Sequence, residues 1–100
     1  VTDRYEVHVT DTFFEELDRQ LPAERGPIGQ PSTTDFIVID LPAIVEQFAT
    51  TFDELPVAIE GLSSIRMLIG TSALVRAFVV QGMLTQDGIV KLAGIDIHLR

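Results

Sequence analysis

The sequence predicts an α+β domain: an N-terminal strand, a two-helix hairpin, then a three- to four-stranded antiparallel sheet. Three observations carry this expectation. Apolar residues alternate near the start, recur at helical spacing through the middle, and gather into Ile- and Val-rich runs after residue 64. Short Gly-containing segments separate those last runs, and short connections between consecutive strands imply an antiparallel meander. The length of 100 residues, with 46% apolar content and no internal repeat, fits one domain spanning residues 1–100.

In chain order, Tyr5, Val7 and Val9 alternate with Glu6 and His8, which reads as a strand with one buried face. Thr12 and Glu15 have capping-box spacing, and Asp11 is an equally good cap. Phe13, Phe14, Leu17 and Leu21 then form a helical stripe that Pro22 stops. The adjacent phenylalanines imply a wide buried stripe; the alternative is a contact patch for a partner or a second copy. Residues 22–34 hold three prolines and two glycines and read as a loop. Ile37, Leu41, Ile44, Val45, Phe48 and Phe52 make a second stripe, with Pro42 near its start. The secure helix begins near Leu41 with Asp40 as its cap; for residues 36–40, propensity allows a strand and periodicity favours a helix. Strands are expected over Ile65–Ile69, Leu74–Val80 and Ile89 to about Leu99, with turns at 70–72 and 86–88.

The net charge of −8 disfavours nucleic acid as a partner, because an acidic surface starts with repulsion from phosphates. The charge is uneven. Residues 1–60 carry thirteen acids against three arginines, whereas residues 61–100 carry two acids against four basic residues. There is no cysteine, which excludes disulfides, thiolate nucleophiles and Cys-type zinc sites, and suits a cytoplasmic location. No run approaches the ~20 apolar residues of a membrane span, so no membrane partner is expected. The first ten residues are acidic rather than apolar, so no signal peptide is expected; a first residue other than Met implies a trimmed start.

Arg66, Arg76 and Lys91 are the candidate binding residues. Each lies in an apolar strand, where a charge must face solvent, an acid or a ligand. On neighbouring strands the three would share one sheet face, able to hold phosphate, RNA or a partner's carboxylates. The competing reading is a solvated face, or ion pairs with acids of the first half. His8 and His98 are isolated, and Asp53-Glu54 lacks any metal-ligand spacing, so no metal or cofactor is expected. Ser63, Ser64 and Ser72 show no nucleophile signature, and the glycines match no phosphate loop.

Tyr5-Glu6-Val7-His8-Val9 followed by Thr12-Phe13-Phe14-Glu15-Glu16-Leu17 resembles the opening strand and helix of the RelE/ParE superfamily of type II toxins. Ile65-Arg66-Met67-Leu68-Ile69 and Val75-Arg76-Ala77-Phe78-Val79-Val80 resemble its paired strands with an arginine on each. Ile89-Val90-Lys91-Leu92-Ala93-Gly94-Ile95 is similar to its last strand. The resemblance implies a toxin or toxin-related protein that acts through protein–protein binding and is neutralised by an antitoxin. It also makes Arg66 and Arg76, with His98, the candidate catalytic residues of a metal-independent RNase. The acidic charge departs from the basic, ribosome-directed members and favours gyrase-type inhibition or a non-catalytic relative. An adaptor or homodimeric interaction domain on the same scaffold is the alternative.

Overall fold

The computed structural model describes residues 4–27 and 29–99. Asp3 and Arg100, counted in the charge of the two halves, and Ile28 of the expected loop lie outside them. The elements run β1 (Glu6–Val9), α1 (Asp11–Gln20), α2 (Thr33–Ile39) and α3 (Leu41–Thr51), then a 3-10 turn (Phe52–Glu54). Four strands follow: β2 (Val57–Ile59), β3 (Leu62–Gly70), β4 (Ala77–Leu84) and β5 (Ile89–His98).

Three α-helices therefore replace the expected two-helix hairpin. Residues 36–39 are helical, as the periodicity indicated, but together with 33–35 they form a helix of their own. Pro42 explains the break: it has no N–H to donate and its ring crowds the carbonyl four residues back, so α2 ends and α3 starts around Asp40. The loop is shorter than 22–34 because Ser32 and Asp35 form a reciprocal capping box that starts α2 at Thr33. Two expected caps are replaced. Thr10, not Thr12 or Asp11, caps α1, its hydroxyl accepting from the Phe13 N–H at 3.3 Å. Asp40 precedes α3 but makes no capping bond, because its carboxylate accepts from the Ser72 hydroxyl at 2.8 Å.

The strands form one mixed sheet in the order β1-β5-β4-β3-β2. The last four strands are an antiparallel meander, and β1 joins parallel to β5 through Val7 opposite Val90 and Val9 opposite Leu92. Leu74–Arg76 precede β4 rather than belonging to it, held in a loop where the Ser72 hydroxyl accepts from the Leu74 and Val75 N–H groups. An extra residue in β5, between Leu92 and Gly94, makes a bulge opposite Gln81 and Gly82.

The helices turn their apolar stripes to one face of the sheet, α1 at its β5 edge. Phe13, Leu17, Phe36, Ile44, Phe48 and Phe52 bury against Phe78, Val80, Val90, Leu92 and Ile95. Burial of this aromatic and aliphatic area is the main stabilising term of the fold. Gly82 makes the close approach of α3 feasible: a methyl group there would stand 2.6 Å from the Phe48 ring. Phe14 lies at the flank of the α1 stripe, half-buried and edge-to-face with Phe13 at 5.9 Å. Arg25 clasps Asp35 through two hydrogen bonds of 3.1 and 2.9 Å across the loop. That guanidinium, with the Ser32 N–H, holds the Asp35 carboxyl well below the usual carboxylate range.

Candidate interaction surface

Strand alternation sends every second side chain away from the helices. On β3 these are Ile65, Met67 and Ile69; on β4 they are Val79, Gln81 and Met83. Cross-strand register sets Ile65 beside Met83, Met67 beside Gln81 and Ile69 beside Val79. No helix packs across this face among the described residues, although α1 borders it at the β5 edge, where Thr12 and Glu16 line a hollow with Val79, Gln81 and Asp96. Ile69 is 60% and Met83 41% exposed. An apolar patch thus occupies the β3–β4 half of the open face. Towards β5 and β1 the same face turns polar, with Lys91, Asp96, His98, Glu6 and His8 exposed. Glu6 lies 3.3 Å from the His8 Nε2, an ion pair when the histidine is protonated.

The expected basic cluster does not assemble on that face. Arg66 pairs with Gly82 and shares the helix-side face with Leu68 and Val80. Its guanidinium donates to the carbonyls of Ser63 at 2.7 Å, Leu55 at 2.8 Å and Asp53 at 3.4 Å. It also stacks 5.8 Å from the centre of the Phe52 ring. These contacts satisfy carbonyls that the 3-10 turn leaves without partners and tie that turn to the β3 hairpin. Lys91 faces the opposite side, between His8 and Met83 in register. Arg76 precedes β4, and its backbone N–H donates to the His98 carbonyl at 2.9 Å. Arg76 is six positions along the strand from Gly82, the partner of Arg66, which places the two arginines about 20 Å apart at the rise of a strand. His98 therefore sits near Arg76 and far from Arg66. The side chains of Arg76 and Lys91 meet no carboxylate partner among the described residues.

The two ends of the sheet's long strands are finished differently. Beyond β1, the outer edge of β5 is closed by a side chain: Gln20 donates to the Ile95 carbonyl and accepts from the Ile97 N–H, both at 2.7 Å. Thr10 adds bonds to the Leu92 carbonyl from its N–H at 3.2 Å and its hydroxyl at 2.8 Å. On the opposite edge β2 reaches only Arg66, and the Met67 N–H donates to Pro56 at 3.0 Å. Past that point no strand lies outside β3 among the described residues. A groove of about 300 Å³ opens there between α3 and β3, lined by Ala43, Ile44, Gln47, Leu68, Gly70 and Phe78, with Asp40 and Ser72 at its end.

Sequence reasoning singled out charges and passed over the apolar face. Its signal was present: in Ile65-Arg66-Met67-Leu68-Ile69 both alternating sets are largely apolar, although helices cover only one of them. No set of three His, Cys, Asp or Glu side chains among the described residues is placed to hold a metal, and no described helix is long and apolar enough to cross a membrane. No protein-family model, curated protein or solved structure matches the chain.

Proposed function

We propose that this chain is a protein-binding domain of the RelE/ParE-like toxin type, which inhibits a cellular target when free and is silenced when an antitoxin-like partner covers it. One observation carries the reading: the sheet leaves Ile65, Met67, Ile69, Val79 and Met83 on an uncovered face, while Arg66 is committed to backbone carbonyls and stands far from Arg76 and His98. Contiguous exposed apolar surface marks interaction sites. Cleavage of RNA would need its acid, base and cationic groups within reach of one scissile bond. The order strand, helices, antiparallel meander is the order that the resemblance implies. The same apolar face also supports a non-toxic adaptor or homodimer.

Inducible expression in a bacterial host tests the proposal, with a Met67→Glu/Met83→Glu variant alongside. Both substitutions lie on the open face, so circular dichroism and urea melts should show a folded variant. Growth arrest by the wild type, relieved by the folded variant, is the expected result. Normal growth with abundant folded wild-type protein would overturn the toxin reading and leave the adaptor.

A further inference from the structure

We infer that the free edge of β3, from Leu68 to Gly70, takes an extended apolar segment with basic flanks from another protein, which joins the sheet outside β3. The inference rests on the protein-binding reading and names where and what the domain binds. Backbone geometry supplies the first argument. The Met67 N–H points outward to Pro56, and the two-residue period of a strand turns the N–H and C=O of Ile69 to the same side. Register places β2 no further than Val57 opposite Arg66, so those groups of Ile69 stand beyond its reach. An unpaired strand edge is a template for another strand, and main-chain bonding of this kind supplies affinity without a deep cavity.

Side chains decide the composition of the incoming segment. A strand laid beside β3 would turn alternate residues to opposite faces. Those on the helix side would enter the groove beneath Ala43 and Gln47, against Leu68, Ile44 and Phe78. Those on the other side would meet Ile69 and Met67. Both faces are apolar at this point, so the middle of the segment is apolar on both faces. The surroundings are acidic. Asp40 lines the groove, and exposed Asp53 and Glu54 lie where the chain leaves the edge at Pro56. No lysine or arginine lines the groove, and nearby Arg66 is held by carbonyls. Basic flanks on the partner complement this field and steer its approach. A second copy fits worse, because it would bring another chain of net charge −8 to an edge that already carries Asp40, Asp53 and Glu54.

The test uses the whole chain, labelled with 15N, and a short synthetic peptide of valine and leucine flanked by lysines. Controls are the same peptide with glutamate flanks and one with N-methylated central amides. The lysine peptide should shift the amide resonances of Ile69 and Thr71 and lose binding as salt is added. Both controls should fail to bind. Ile69→Pro removes the outward N–H at an edge position where proline is tolerated, and Ala43→Trp fills the groove without touching the strand; each should abolish the shifts. Absence of shifts with the lysine peptide, equal binding of the glutamate peptide, shifts confined to Lys91, Asp96 and β1, or dimerisation through Ile69 would each overturn the inference. Growth arrest without peptide binding would remove only this edge assignment, whereas peptide binding without arrest would remove only the toxin reading.

Discussion

The outer edge of β5 and the outer edge of β3 are the same kind of surface treated in opposite ways. Past β1, the β5 backbone meets the Gln20 amide, which imitates a neighbouring strand by donating to one residue and accepting from the next but one. Past β2, the β3 backbone meets solvent and a groove. Natural sheets blunt exposed edges because they invite pairing. That one edge is sealed by a dedicated side chain while the other carries exposed Ile69 teaches that the open edge is not a general feature of this sheet. It is local, and it lies beside the apolar face.

Removing the seal should have the largest effect. Gln20→Ala leaves the Ile95 carbonyl and Ile97 N–H without partners, at a cost of about 2 kcal/mol in urea denaturation. Hydrogen exchange sharpens the contrast: the Ile97 amide should be protected in the wild type and exposed in the variant, while the Ile69 amide exchanges quickly in both. Equal protection of Ile69 and Ile97 in the wild type would erase the distinction between the edges. A smaller effect is expected from Thr10→Val, which removes the α1 cap and the hydroxyl bond to Leu92, about 1 kcal/mol by the same assay. Acid should separate the regions in another way. The Gln20 clamp contains no ionising group, whereas the Arg25–Asp35 clasp depends on a carboxylate. Asp35 is depressed in the folded chain, so the clasp stabilises fully above the usual carboxylate value of about 4. That stability is lost as pH falls below this value and through the depressed one. Amide resonances around Arg25 and Ser32 should therefore hold until the pH falls well below the usual carboxylate range, and Arg25→Ala should move their change to higher pH.

The class of fold, the order of its elements and the helical character of residues 36–39 were legible in periodicity and turn chemistry. The separate α2 was not, although Ser32-x-x-Asp35 and Pro42 mark both of its ends once read together. Thr10 was missed as a cap because Thr12 offered the more familiar spacing; docking against Leu92, far away in sequence, decides between them. Tertiary placement was the main obstacle. Alternation alone cannot say which face of β3 the helices cover, so Arg66 read as a surface cation when it is a brace for the 3-10 turn. Likewise nothing local in α1 announces that Gln20 will reach β5, 75 residues on.

The parallel pairing of β1 with β5 also governs the order of assembly during synthesis. Among the described residues β1 finds its strand partner in β5, the last strand of the sheet, and Thr10 waits for Leu92, 82 positions later. The meander from β2 to β5 can zip through short turns and the Tyr5 N–H can reach the Ala49 carbonyl of α3, but β1 and the α1 seal have no strand to join until β5 has been made. A nascent chain stopped before Ile89 would hold β1 without a strand to pair with.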